Sequence, residues 1–181
     1  MWKYFAPLVI FGLFFLVLKS GMDDIREGKN VNELPSPLIE KPAPQFELPS
    51  LTDSSKTVSN ATFAGKPAIL NVWATWCVGC RQEHGFLMEL SESGAISVYG
   101  LNWRDNNTEA QRFLAQLGDP YIDSAYDEDG RVGIDWGVYG APETFLIGPD
   151  GTVLEKHLGP LNWAIWNEKF GPYLQSTEIA P

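Results

Sequence analysis

Residues 67–74, PAILNVWA, form an almost unbroken apolar run between Gly65-Lys66 and a segment that contains cysteine. A run of that length without alternation predicts a strand buried on both faces, as at the centre of an α/β sheet. The period then turns helical. Across 78–93, Phe86, Leu87 and Leu90 make one stripe, while Arg81, Gln82 and Glu89 face away. AISVYGLNW (95–103) reads as a second strand. NTEAQRFLAQLG (107–118) reads as a helix, with Asn107 or Thr108 as its cap and Gly118 just past its end. YIDSAYD (121–127) is a shorter third strand. Two apolar runs around Pro149-Asp150-Gly151 predict a hairpin over 143–159, and 162–176 closes as an amphipathic helix. Strand–helix–strand–helix followed by an antiparallel hairpin and a last helix predicts an α/β fold, a mixed central sheet flanked by helices.

The N-terminus follows a different pattern. Lys3 precedes YFAPLVIFGLFFLVL (4–18), which has no charge, and Lys19 follows. A charged start before an apolar stretch is an export signal. No clean small-residue cleavage site comes after it, so residues 1–20 are expected to stay as a membrane anchor. A span needs about twenty residues, which the flanks of the run complete. With Lys3 upstream and Asp23, Asp24 and Glu27 downstream, the N-terminus should face the cytoplasm and the body the outside. Residues 21–38 read as a linker. The four prolines between Glu33 and Pro44 suit a tether, and 39–181 is expected to be the folded domain.

Composition narrows the function. Of 181 residues, 44 % are hydrophobic and 20 % charged, as in an ordinary globular protein. The net charge of −10, with scattered basic residues, argues against nucleic acid as a partner. Neither GxxxxGK[ST] nor a GxGxxG at a strand–helix junction is present to cradle a nucleotide.

Chemistry concentrates in WATWCVGCRQEH (73–84), which holds the only two cysteines, Cys77 and Cys80. As a staple this pair closes too short a loop to restrain the unfolded chain. As a metal site, Cys77, Cys80 and His84 offer three ligands and distant His157 a fourth, whereas structural zinc usually draws on two close pairs. As a redox pair the arrangement has a mechanism. A helix starting near Cys77 would favour its thiolate through unpaired backbone N–H groups. Cys80, one turn further on, shares a face with Glu83, Leu87 and Leu90 and points to the core. Cys77 is then the exposed attacking sulfur, and Cys80 resolves the mixed disulfide. Glu83 sits on the apolar stripe, where burial would raise its pKa and make it a proton acceptor near neutral pH; at the stripe's edge it would be an ordinary exposed glutamate. Trp76 either shields the sulfur and meets a partner or belongs to the core. YDEDGRVGIDWG (126–137) fails the EF-hand spacing and reads as a solvated acidic loop. His84 and His157 read as structural or surface residues.

WCVGC after a buried strand, together with GVYGAPETFLI (137–147), resembles the thioredoxin-like fold. The pairing of NVWATWC and the following CRQEH with YGAPETFLI, behind one N-terminal apolar segment, is similar to the membrane-tethered thiol–disulfide oxidoreductases of cytochrome c biogenesis (the CcmG/DsbE type). The likeness runs over roughly residues 39–175. It implies that Pro142 is cis and lies against the cysteine pair, and that Ala141 offers its backbone to an extended substrate. Trp76, Tyr139 and Glu143 join them at the substrate side, and Glu83 and Glu143 match the acidic residues near the site. The implied enzyme is a protein-disulfide reductase, single-pass in a bacterial inner membrane with its catalytic domain in the periplasm. Its implied clients are the CxxCH thiols of apocytochrome c, or a thiol-bearing haem-lyase component, with electrons from a membrane thiol reductase. No organic cofactor is implied, because Cys77 and Cys80 carry the two electrons. A general thiol reductase and a metal-binding chaperone using Cys77, Cys80 and His84 are the alternatives. The chain departs from that type at Val78-Gly79, where members often carry Pro-Thr, and this dipeptide tunes thiol pKa and potential.

Overall fold

A computed structural model describes the backbone of residues 2–26 and 36–177. Its strands are β1 (Glu47–Pro49), β2 (Thr57–Ser59), β3 (Ala68–Trp73), β4 (Ser97–Trp103), β5 (Ser124–Asp127), β6 (Glu143–Ile147) and β7 (Val153–Leu158). The apolar run becomes β3, the middle of a five-stranded sheet ordered β5-β4-β3-β6-β7. β3, β4 and β5 run parallel; β6 is antiparallel to β3, and β7 to β6. β1 and β2 pair as a separate antiparallel ribbon.

All six residues of β3 are buried, since layers cover both faces of the sheet. Side chains alternate across a strand, so the two faces feed different cores. Ile69 and Trp73 pack with Leu87 and Leu90 of α2 (Val78–Ser93) and Phe113 of α3 (Asn107–Leu117). Leu70 and Val72 pack on the opposite side with Phe46, Phe63, Trp136 and Phe145. By the same alternation, the single polar residue of the run, Asn71, shares the α2 side with Ile69 and Trp73. α2 ends at Gly94, whose φ of 67° is the left-handed cap that glycine adopts without strain.

The chain divides into two compact units, Met1–Glu33 and Leu34–Pro181. In the first, α1 (Trp2–Arg26) runs beyond the expected 1–20, and Val9, Ile10, Phe11, Leu13, Phe14, Phe15, Leu16 and Val17 are exposed along it. Among the described residues no helix is long and apolar enough to cross a membrane.

Four expectations change. The proline-rich stretch is no free tether from Ser36 onward: Glu40 N–H donates to Val153 O, Val153 N–H to Lys41 O, and Ala43 N–H to Gly151 O, so it edges the hairpin. The acidic loop is partly interior. Asp127 is fully buried and accepts the N–H groups of Val132 and Gly133, capping the short helix α4 (Arg131–Asp135), and Trp136 is core. Asn106, one residue earlier than expected, caps α3 through Glu109 N–H. The last helix is not continuous. α5 (Trp163–Ile165) passes through a π-turn at Trp166–Phe170 into α6 (Gly171–Thr177). Pro172 explains the break, because it has no N–H for the Glu168 carbonyl and its ring crowds that carbonyl in a regular helix.

Leu90, with no exposed surface, sits where α2 meets the sheet. Leu90→Ala should lower the unfolding free energy of the oxidised protein by about 2–5 kcal/mol. Urea denaturation should show this as a lower midpoint at an unchanged slope.

Candidate active site at the start of the second helix

Two ties fix how the chain leaves β3. Asp105, in the turn after β4, accepts the Thr75 N–H and the Thr75 hydroxyl, each at 2.6 Å. Trp76 donates its indole N–H to Arg104 O at 3.1 Å. Cys77 thereby becomes the N-cap of α2, and its Sγ accepts the Cys80 N–H at 3.0 Å. Cys77 and Cys80 are joined by a disulfide. Once the bond is reduced, that N–H and the helix end favour a thiolate at Cys77. The expected contrast in exposure is absent: Cys77 is 5 % exposed and Cys80 4 %. Their asymmetry lies in position, one at the cap and one inside the first turn. The exposed shoulders are instead Trp76 (54 %), Val78 (73 %) and Tyr139 (51 %).

Glu83, one turn beyond Cys80, is fully buried. Oε1 accepts from Asn71 Nδ2 at 2.8 Å, and Oε2 from Leu161 N–H at 2.7 Å. Desolvation pushes its pKa up from 4.5 to about 8, against the smaller opposing pull of the Leu161 and Asn71 donors. Thr144 lies directly opposite Asn71 on β6, and its Oγ1 accepts the other Asn71 N–H.

Pro142 follows a cis peptide bond. A Cβ built at Gly79 would stand 2.8 Å from Pro142 Cδ and 3.2 Å from Pro160 Cγ. Only a residue without a side chain lets the proline ring lie this close to the first turn of α2. Val78-Gly79 is thus a packing solution as well as a linker between the cysteines. Ala141 is half-buried beside them. Glu143, expected at the substrate side, is fully buried instead. Its Oε1 accepts the N–H groups of Tyr139 and Gly140, and its Oε2 is 2.8 Å from Lys156 Nζ. Lys156 also donates to Gly137 O and lies 4.7 Å from the Tyr139 ring centroid. Glu143 therefore shapes the loop from within, because no surface of it reaches a partner.

The comparisons with known proteins agree with this geometry. The family model described as Redoxin matches residues 39–169. The thiol:disulfide interchange protein DsbE of Allochromatium vinosum is 46 % identical over 140 residues, covering 77 % of this chain and 77 % of the relative. DsbE of Escherichia coli K12 is 44 % identical over 167 residues, covering 92 % and 90 %. The chain belongs to the DsbE family of thioredoxin-like thiol–disulfide oxidoreductases. The crystal structure of a 'putative thiol:disulfide interchange protein DsbE' from Chlorobium tepidum superposes with a TM-score of 0.61 at 30 % identity, over 76 % of this chain and 94 % of that one.

In this DsbE-family chain the site also draws on Asn71, the first residue of NVWATWC, and on Asp105, Leu161 and Lys156, which lie outside both motifs. Asn71 had a visible signal, a lone amide inside an apolar strand. The others are close to the site only because the fold brings them there. His84, weighed as a metal ligand, holds its Nε2 3.1 Å from Gly118 O and its ring edge-on to Phe113. His157 is buried in β7. Among the described residues no three or more His, Cys, Asp or Glu side chains group to hold a metal ion.

A carboxyl whose pKa is raised by folding supports the folded state while protonated. That stability is complete below about 4.5 and is lost as pH rises through about 8. Between those values the oxidised protein should lose up to ~1.4 kcal/mol per pH unit through this group. Urea titrations of Glu83→Gln from pH 5 to 8 should show a correspondingly flatter decline than wild type. Parallel curves would contradict the assignment.

Proposed function

We propose that the chain is a membrane-anchored protein-disulfide reductase outside the cytoplasm, which opens the CxxCH disulfide of apocytochrome c before haem attachment. The observation that carries this reading is the Cys77–Cys80 disulfide at a helix N-terminus, one turn from the buried acid Glu83. The family membership supports the reaction class, and an exposed apolar shoulder of Trp76, Val78 and Tyr139 suits an extended peptide.

The reduced enzyme attacks through the Cys77 thiolate. A bond forms from Cys77 to one substrate sulfur, the substrate disulfide breaks, and the second substrate sulfur leaves and takes up a proton. Cys80 gives its proton to ionised Glu83 and attacks Cys77. The first substrate sulfur leaves and takes that proton from Glu83, which returns to the carboxylate, and the Cys77–Cys80 disulfide closes. The substrate gains two electrons and the cysteine pair loses them. A proton acceptor with a pKa of about 8 suits a thiol of ordinary pKa near 8.5. The peptide docks beside Ala141 and Pro142, with Trp76 and Tyr139 as apolar walls. A thiol-bearing haem-lyase component is a second client of the same chemistry, and a membrane thiol reductase returns the electrons.

In this reading α1 serves as the anchor of a single-pass protein of a bacterial inner membrane, with the catalytic domain in the periplasm. Its uncharged run, Tyr4 to Leu18, is fifteen residues. At 1.5 Å per residue this gives about 22 Å, short of a hydrocarbon core of about 30 Å. Flanking residues and local thinning make up the difference, at a fraction of a kcal/mol per Å. Lys3 before the run and Asp23 and Asp24 after it set the direction.

Cys77→Ser should reduce an oxidised CxxCH peptide at the rate of buffer alone. Cys80→Ser should accumulate a mixed disulfide, seen as a mass shift that dithiothreitol reverses. Full activity in Cys77→Ser would contradict the mechanism. For the client, kcat/KM on the CxxCH peptide should exceed that on insulin at least tenfold; equal values would make the enzyme a general thiol reductase.

A further inference from the structure

Behind Glu83 the hydrogen bonds continue inward. Tyr121, buried in the segment before β5, donates its hydroxyl to Asn71 Oδ1 at 2.8 Å. Its ring stacks on Trp73, with centroids 5.5 Å apart and planes 20° from parallel. Asn71 spends its two N–H groups on Glu83 Oε1 and Thr144 Oγ1.

We propose that Tyr121 is a positioning residue for the thiol–disulfide reaction, fixing the Asn71 amide so that an N–H and not a carbonyl faces Glu83. The inference rests on the reading of Glu83 as the proton acceptor of Cys80. An amide can present either end. Turned over, Asn71 would accept from a protonated Glu83 and donate to the Tyr121 oxygen. The Tyr121 proton would then lose its acceptor inside the core, and an unmade hydrogen bond there is expensive. Tyr121 selects the orientation that donates to the carboxylate, and a donor favours the ionised form. In the oxidised protein Cys77 and Cys80 do not titrate, and the titratable groups around Glu83 are His84 on α2 and Tyr121, with Asp119 and Asp123 beyond it. β3, β6 and the segment after β7 present Asn71, Thr144 and the Leu161 N–H. The neutral network therefore offsets part of the desolvation and keeps Glu83 able to take a proton near neutral pH.

Tyr121→Phe keeps the ring stack and removes only the hydroxyl. In the oxidised full-length protein, the Glu83 carboxyl can be titrated by 13C NMR, its signal being the one missing from Glu83→Gln. The midpoint in Tyr121→Phe should rise by ~0.5–1 pH unit, a roughly three- to tenfold fall in the acid constant. Thr144→Val, which frees the same amide at its other contact, should move it in the same direction by less, and it carries the test if Tyr121→Phe does not fold. A midpoint unchanged or lowered in a folded variant overturns the inference. The pH dependence of CxxCH peptide reduction separates it from the reading beneath it. If the midpoint rises in Tyr121→Phe while Glu83→Gln keeps the wild-type rate profile, the positioning role holds and Glu83 is not the proton acceptor.

Discussion

A carboxyl group sealed from water must find donors or keep its proton, and Glu83 does some of each. Its two oxygens are held by Asn71 on the central strand and by the Leu161 N–H after the last strand. One side chain on α2 thus joins the sheet, the catalytic helix and the segment that carries Pro160. With neutral donors facing it, desolvation dominates and the acid titrates near the range of a thiol.

The second buried carboxylate shows what a different partner does. Glu143 faces Lys156 at 2.8 Å, with two backbone N–H groups besides. A buried ion pair of this kind holds shape, and breaking it leaves an uncompensated charge. Glu143 and Lys156 fix the loop that presents Tyr139 and leads to the cis Pro142, whereas Glu83 faces only neutral donors, as its proposed part as proton acceptor requires.

Much of this was legible in the chain. The unbroken apolar run of β3, the 3.6-residue stripe of α2 and the turn residues of the hairpin each have a local cause, and each element formed where its pattern stood. Glu83 on the apolar stripe was visible for the same reason. Asn71 was passed over, because an amide inside a strand shows its partner only when α2 is laid across it. Asp127 and Trp136 were read as solvated because their segment is acidic, yet Asp127 turns inward to cap α4. Glu143 was expected at the substrate side from the family resemblance, and the position of Lys156 beside it depends on the pairing of β6 with β7. The exposure of Cys77 was overestimated: at the cap of α2 it is as buried as Cys80.

The proposed reaction requires the Cys77–Cys80 pair to be a reductant, with Cys77 at a helix end and a buried acid one turn beyond Cys80. The equilibrium potential of the pair, titrated against glutathione or dithiothreitol at pH 7, tests this most directly. A value near ~−270 mV, as in thioredoxin, or only somewhat less negative, is the predicted result. A value near ~−120 mV, at the strongly oxidising end of such proteins, would contradict it and make the chain a donor of disulfides.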